Sequence, residues 1–283
     1  MNPVRIIVDS TADMIPAVEQ RVDCVPLTIH FGEEHFVDGV DIDRETFYKK
    51  LVKSDILPTT SQATPYDFSR IFRQAVDAGE DVVVITISSL LSGTYQSAVI
   101  AAEDFPGRVH VVDSRSVTLG SGILAQYALE LKDEGLGAEA MAEHLTAERE
   151  NVHLVALLDT LEYLKKGGRI SPAVAFAGGL LSIKPLISLD GGEISVLGKA
   201  RGTRQGNTLM DQAIQRAGGI DFDRPVLLGY TGLDGTLLQK YIQDSAALRD
   251  GRPDTLPCTI VGSVVGTHAG PGAFAAAFFQ KAR

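Results

Sequence analysis

The chain has 283 residues, of which 45% are hydrophobic and 22% charged, and its formal net charge at pH 7 is -10. A chain of this length can bury a sizeable core, and we expect it to fold as two domains. The acidic balance excludes a general nucleic-acid-binding protein, because phosphate contacts require a basic face. The N-terminal apolar run is too short for a signal peptide, and no run reaches the ~18 apolar residues of a membrane span. We therefore expect a soluble, cytoplasmic protein.

Three short β-branched runs dominate the first half of the chain, at 4–8, 82–87 and 109–112. Each ends in a turn rich in hydroxyl groups and is followed by a helical pattern, at 14–21, at the end of the stretch 88–98 and at 123–132. This alternation predicts an α/β domain with a parallel sheet at residues 1–151. Ligands of such sheets bind beyond the carboxyl ends of the strands, where these turns lie.

The region between the first two of these strands predicts an extended pair at 25–36 and a helix at 43–53. Thr64 is placed to cap a further helix at 66–78. Thr60 lies in the preceding loop, which is bounded by Pro58 and Pro65, and we see no local structural role for it.

The pattern changes after residue 151 and predicts an α+β C-terminal domain with a mixed sheet at residues 152–283. Asp190-Gly191-Gly192 is a hairpin signal between extended runs at 184–189 and 193–198. Other strands are predicted at 152–158, 226–230 and 258–263, with helices ending at Lys166 and at 172–183, 203–217 and 233–248. We expect the chain to close with a glycine-rich loop at 266–272 and an apolar helix.

The turn at 88–98 is the strongest candidate for a binding site. It joins a strand to a helix start and carries the hydroxyls of Ser88, Ser89, Ser92 and Thr94. Backbone N–H groups at the positive end of a helix favour an anion, so we infer a carboxylate or phosphate ligand. The alternative is that these hydroxyls only cap the helix.

Two further features are unusual. His268 lies among glycines, which leave its imidazole uncovered and able to donate to an anion or transfer a proton. Residues 165–204 contain seven basic and two acidic side chains, a local charge of 7 − 2 = +5 in an acidic protein. This window is either a solvated surface or a site for phosphate or an acidic partner.

Several common motifs are missing. The sequence has no Gly-x-Ser-x-Gly elbow, no P-loop and no metal-ligand spacing, so no cofactor or metal site is indicated. Gly120-Ser121-Gly122 is more typical of a helix start packed against the sheet than of a dinucleotide site. Cys24 and Cys258 fit no zinc or CxxC spacing, and we expect them to be buried small hydrophobic residues in a reducing compartment.

Six blocks of the sequence together resemble the DegV family, in the family's order and from end to end of the chain. They are Asp9-Ser10-Thr11-Ala12-Asp13, Pro58-Thr59-Thr60-Ser61-Gln62, Leu91-Ser92-Gly93-Thr94-Tyr95-Gln96-Ser97-Ala98, Lys165-Lys166-Gly167-Gly168-Arg169-Ile170, Lys199-Ala200-Arg201-Gly202 and Gly266-Thr267-His268-Ala269-Gly270-Pro271-Gly272. The resemblance implies a two-domain, non-catalytic carrier that holds a long-chain fatty acid in an apolar tunnel between its domains. It also implies a partner, an ATP-dependent fatty acid kinase that phosphorylates the carboxylate, and at most transient membrane contact.

The resemblance also assigns roles to individual residues. Thr60, Ser92, Gly93, Thr94 and His268 would bind the fatty-acid carboxylate. Arg169 and Arg201 would face the kinase and lie outside the ligand pocket. The glycine-rich segment at 229–235 departs from the family pattern at the far end of the tunnel. Two other functions stay open: an esterase-like hydrolase using Ser92 and His268, and a lipid-responsive regulatory protein without a kinase partner.

Overall fold

The computed structural model describes residues 2–171, 183–249 and 255–282. Its elements in chain order are β1 (Val4–Asp9), α1 (Pro16–Glu19), β2 (Asp23–Val25), β3 (Thr28–Phe31), β4 (Glu34–Val37), α2 (Arg44–Lys53), β5 (Thr59–Ser61), α3 (Pro65–Asp77), β6 (Asp81–Thr86), α4 (Thr94–Ala102), β7 (Val109–Asp113), α5 (Leu119–Asp133), α6 (Ala138–Glu148), a 3₁₀ turn (Arg149–Asn151), β8 (Val152–Leu157), α7 (Glu162–Lys166), β9 (Ile183–Asp190), β10 (Glu193–Arg201), α8 (Gly202–Arg216), β11 (Val226–Tyr230), α9 (Thr236–Asp244), β12 (Cys258–Ile260), α10 (Ser263–Ala269) and β13 (Phe274–Phe279).

Two large sheets of different kinds organise these elements. A parallel sheet has four strands in the order β2-β1-β6-β7, and a mixed sheet has six in the order β10-β9-β8-β13-β11-β12. One hydrophobic core joins them, with buried residues from β1, β6, α5, β8 and β13 in a single cluster. The predicted α/β fold with a parallel and a mixed sheet is confirmed. The boundary between residues 151 and 152 stays a prediction.

Local signals in the sequence explain several of these elements. The Thr64 side chain caps α3 in a capping box with Asp67, as predicted. The hairpin of β9 and β10 turns at Gly191 and Gly192, both at positive φ. Gly122 lies on α5 where a Cβ would come within 1.9 Å of the Asp13 carbonyl oxygen, so this helix start does pack closely.

Thr60 has a structural role that the sequence did not indicate, in a pairing with a strand about 30 residues earlier in the chain. It lies in β5, which pairs with β3 so that Thr60 opposes Ile29. β5 completes a small antiparallel sheet in the order β4-β3-β5. A three-residue strand next to prolines carries too little periodicity to be distinguished from a loop.

The C-terminal prediction was wrong in two places. Residues 263–269 form α10, which begins in the strand predicted at 258–263 and extends into the loop predicted at 266–272, and residues 274–279 form β13 where a helix was expected. Every residue of β13 is buried, because the strand lies inside the mixed sheet between β8 and β11. A strand buried on both faces shows no alternation, and its apolar run cannot be told from a buried helix by pattern alone.

Other expectations have mixed outcomes. The predicted helix at 172–183 falls almost entirely outside the described residues. Cys24 is exposed and Cys258 half-buried, so the expectation of two buried cysteines was wrong, although both are free thiols. No helix among the described residues is long and apolar enough to cross a membrane.

Candidate functional site

An apolar cavity is lined by the mixed sheet and by residues that follow strands of the parallel sheet, such as Ile87 after β6 and Val117 after β7. It contains about 840 Å³ of space between atoms, its open mouth included. Part of its wall consists of side chains from the mixed sheet, including the β9–β10 hairpin. We call this part the apolar body, and it includes Leu154, Ala156, Ile187, Leu189, Ile194 and Ala275.

The cavity wall also carries several polar side chains, and four of them come from distant parts of the chain. We call these four the polar end: Thr60, Ser92, Arg169 and His268. The Thr60 hydroxyl lies 2.9 Å from His268 Nε2, across 208 residues of sequence. Arg169 Nε donates to the main-chain oxygen of Leu91, the neighbour of Ser92. These contacts bring four separately predicted residues to one place.

His268 is fixed by its surroundings on both sides of the ring. A Cβ on Gly167 would lie 2.2 Å from Nδ1 of His268, so only glycine allows the imidazole to sit against α7. Nδ1 is buried and has no hydrogen-bond partner in the described part of the chain. Burial, and then the charge of Arg169, lower the pKa of His268 to about 4. The imidazole is therefore neutral at physiological pH, and a proton on Nε2 would leave the Thr60 hydroxyl free to donate into the cavity.

The Ser92 turn has the strand–turn–helix form that the sequence predicted. Ser92 Oγ lies 2.9 Å from Thr94 Oγ1 and accepts a hydrogen bond from the Thr94 N–H. Gly93 is the N-cap residue of α4. Only Ser92 of these three lines the cavity. Gly93 and Thr94 shape the turn, and their assignment to carboxylate binding stays a prediction.

The two arginines lie in different environments. Arg201 is exposed at the end of β10. Arg169 is half-buried in the cavity wall, where the sequence had predicted a position outside the pocket. Its Nε and Nη1 donate to the main-chain oxygens of Leu91 and Gly167. Burial is the only cause that lowers its pKa, and no carboxylate among the described residues raises it. Arg169 is thus a cation without an acidic partner within that part of the chain.

Thr118 is a wall residue that the sequence analysis missed. It lines the cavity with a backbone φ of 50°, a left-handed conformation that is uncommon for a β-branched residue. Such a conformation has no sequence signal, since glycine or asparagine is the usual residue there.

The positions of Ser92 and His268 argue against the hydrolase alternative. Ser92 Oγ is paired with Thr94 and His268 Nε2 with Thr60, so the described residues contain no Ser92–His268 hydrogen bond. A catalytic base works best with a pKa near the operating pH, and the pKa of His268 is about 4. No cluster of three or more metal-ligating side chains occurs among the residues described.

Comparison with known proteins gives a consistent family. A profile described as "Uncharacterised protein, DegV family" matches residues 3–281. A DegV domain-containing protein of Caldanaerobacter subterraneus is 34% identical over 287 residues, covering 99% of this chain and 100% of that protein. The structure of a fatty-acid-binding DegV family protein from Thermus thermophilus superposes with a TM-score of 0.87 and 32% identity, covering 99% of this chain and 100% of the other. A stearic acid-binding protein from Eubacterium ventriosum superposes with a TM-score of 0.84 and 26% identity, covering 98% of each chain.

Proposed function

Because the chain belongs to the DegV family, we propose that it binds a free long-chain fatty acid in the cavity, with the carboxylate at the polar end and the alkyl chain in the apolar body. The observation that carries this proposal is the division of one cavity wall into these two parts. The fatty-acid binding described for the Thermus and Eubacterium proteins supports the same ligand class.

The two parts of the wall would contribute differently to binding. Each buried methylene contributes roughly 0.8 kcal/mol, so a chain of ordinary length supplies most of the affinity. The hydroxyls of Thr60 and Ser92, with Arg169, offer donors to a carboxylate that would otherwise be buried unpaired, and the neutral His268 orients the Thr60 hydroxyl. The polar end therefore selects the head group and fixes which way the chain enters.

We further propose that the protein is a non-catalytic carrier that presents this carboxylate to an ATP-dependent kinase. In that reaction a carboxylate oxygen attacks the terminal phosphorus of ATP, the bond to the bridging oxygen breaks, and acyl phosphate and ADP form. Hydroxyl donors leave the carboxylate nucleophilic, which a clamp of several arginines would discourage. The support for a kinase is the sequence resemblance and the exposed, basic Arg201. No cofactor beyond the bound fatty acid is needed.

Native mass spectrometry tests the carrier function. Purified protein is expected to contain a fatty acid from its host or to take up an added one after delipidation. Repeated preparations that neither contain nor take up a fatty acid would exclude the proposal. Turnover of ester substrates that is abolished in Ser92→Ala would favour the hydrolase instead.

The kinase step needs a separate test. Fatty-acid-loaded protein is incubated with ATP and a fatty acid kinase from the same organism, and acyl phosphate is trapped with hydroxylamine. Formation of acyl hydroxamate only when both proteins are present is the expected result. Binding without phosphorylation would favour a lipid-responsive regulatory protein.

A further inference from the structure

The carboxyl group of Asp13 lies outside the cavity and forms hydrogen bonds with Gly262, next to the helix that carries His268, and with Thr118 of the cavity wall. Asp13 follows β1 and is fully buried. Its Oδ1 accepts a hydrogen bond from the Gly262 N–H at 2.8 Å, and its Oδ2 accepts one from the Thr118 hydroxyl at 2.5 Å. Arg44 Nη2 lies 3.5 Å from Oδ1. A buried carboxyl is costly unless it is hydrogen-bonded, so these partners are needed to keep Asp13 in place.

The Gly262 contact reaches the helix that carries His268. Gly262 is the N-cap residue of α10, which has seven residues, and His268 is the sixth of them. Val261, the residue before Gly262, is also anchored, because its main-chain oxygen accepts a hydrogen bond of 2.9 Å from the Tyr48 hydroxyl. The start of α10 is therefore attached to the first half of the chain by two side chains, and its far end rests against Gly167.

The Thr118 contact reaches the cavity wall. Besides the side-chain hydrogen bond, the Asp13 N–H donates to the Thr118 oxygen at 3.2 Å. Thr118 has the uncommon φ of 50°, which the surrounding contacts must maintain. The missing side chain of Gly122 makes room for the Asp13 main chain against α5.

We propose that Asp13 is a positioning residue for the polar end, holding the start of α10 and the Thr118 wall in fixed relation so that His268 stays beside Thr60. The inference rests on the proposed function and deepens it. Asp13 is absent from the cavity lining and acts through His268 and Thr118.

The charges around Asp13 show which substitution preserves this role. Arg44 and Tyr48 face it from α2, Asp38 faces it from the segment after β4, and Glu19 of α1 binds Arg44. Burial, opposed by Arg44, raises the pKa of Asp13 to about 7. In its neutral or its ionised form the carboxyl offers an oxygen to the Gly262 N–H. The carboxamide of Asp13→Asn can do the same and can donate to Thr118.

The test compares Asp13→Ala with Asp13→Asn, using calorimetric titration of hexadecanoic acid and of the matching alcohol. Asp13→Ala leaves the Gly262 N–H unpaired and is expected to weaken binding of the acid by about 5- to 50-fold, with a smaller effect on the alcohol. Asp13→Asn is expected to stay within about threefold of the parent, because it restores the acceptor. Equal loss of acid and alcohol in Asp13→Ala, or no rescue by Asp13→Asn, would overturn the proposal.

A double-mutant cycle checks that Asp13 acts through His268. Asp13→Ala in the His268→Ala background is expected to weaken acid binding by no more than about twofold, since the positioned group is gone. If the affinity losses caused by the two substitutions multiply in the double variant, the mechanism is contradicted.

Should Asp13→Ala not fold, Gly262→Ala probes the same contact, because its Cβ would lie 3.0 Å from Asp13 Oδ1 at a φ of -66° that alanine accepts. Gly262→Ala is expected to weaken acid binding in the parent but not in the His268→Ala background. If the affinity losses of Gly262→Ala and His268→Ala multiply, the proposal is contradicted.

The ring signals of His268, observed by NMR without any ligand, separate this inference from the proposed function. Asp13→Ala or Gly262→Ala is expected to shift them, and Asp13→Asn is expected to leave them near their parent positions. Unchanged signals in Asp13→Ala and Gly262→Ala would overturn the inference even if the protein binds fatty acids. Shifted signals in a protein that binds no fatty acid would support the positioning role while excluding the proposed ligand.

Discussion

The apolar body and the polar end of the cavity are built by different means. The body comes from neighbouring strands of one sheet, where Ala275 opposes Ala156 on one side and Gly229 on the other. The polar end comes from a short strand, two turns and a seven-residue helix that meet from positions 208 residues apart. The body can therefore change in width without altering the head group contacts, whereas the polar end depends on how separate elements are held together. We expect substitutions in the body to change which chains fit, and substitutions in the polar end to change which head groups bind.

The largest loss of fatty-acid affinity is expected from a substitution that narrows the apolar body. Ala275→Leu adds three carbons to a buried wall position on β13. Excluding about four methylenes would cost about 3 kcal/mol, which is an affinity loss of about 10²-fold for hexadecanoic acid. Calorimetric titration measures this, with octanoic acid as the control because a short chain needs less of the body. Equal losses for both acids, or none, would show that the chain does not run past Ala275.

Removing the cation of the polar end should have a smaller effect that depends on the head group. In Arg169→Ala the carboxylate loses a charged donor, and binding of the acid is expected to weaken about 10- to 100-fold. Arg169→Lys should restore little, because Nε and Nη1 of Arg169 hold two main-chain oxygens that an ammonium group cannot reach together. The matching alcohol should bind all three proteins alike. Unchanged affinity for the acid in Arg169→Ala would show that Arg169 does not bind the carboxylate, and would leave only its predicted role in contacting the kinase.

The buried carboxyl that supports the polar end gives a prediction about stability. The pKa of Asp13 is raised to about 7, whereas in the unfolded chain the group has its ordinary pKa near 3.8. The folded protein therefore binds more protons between these values, and the stability due to protonated Asp13 is lost as the pH rises from about 4 through 7. Asp13→Asn does not titrate. Relative to the parent, its free energy of unfolding should increase from pH 5 to pH 8 by at least about 1.4 kcal/mol, the equivalent of one pKa unit. Urea unfolding at both pH values measures this, and a difference that is constant with pH would contradict it.

The smallest effect on binding is expected at Arg201, which is exposed at the end of β10. Arg201→Ala should bind hexadecanoic acid like the parent while acyl-phosphate formation with the kinase falls. Arg216→Ala, an exposed arginine at the other end of α8, is the matched control and should affect neither measurement. A loss of phosphorylation in both variants would indicate a general charge effect.

Much of the fold could be predicted because its signals are local. The hydroxyl-rich turns after β1, β6 and β7, the Thr64 cap and the Gly191-Gly192 hairpin depend on neighbouring residues. β13 could not be predicted, since a strand buried on both faces leaves no alternation in the sequence. β5 was missed because its three residues gain their structure from pairing with β3.

Three of the four residues of the polar end were predicted to form one head-group site, and their role in carboxylate binding stays a prediction. Thr60, Ser92 and His268 were chosen from their sequence setting and the family resemblance, and the structure places all three on the cavity wall. Arg169 was expected outside the pocket, because a basic window does not show which of its side chains fold inward. Asp13 belongs to the first block of the family resemblance, but neither its role nor that of Thr118 could be predicted, since both roles arise from contacts made across 105 residues or more.

The central claim is that the polar end recognises a carboxylate while the apolar body binds the chain. Calorimetric titration of hexadecanoic acid and its alcohol into the parent, Thr60→Val, Ser92→Ala and His268→Ala tests it most directly. The parent is expected to prefer the acid, and each substitution is expected to weaken acid binding by about 5- to 100-fold, the cost of one unpaired buried acceptor. The alcohol should bind all four proteins with similar affinity. A parent that binds acid and alcohol equally, or variants that lose both to the same extent, would contradict the claim.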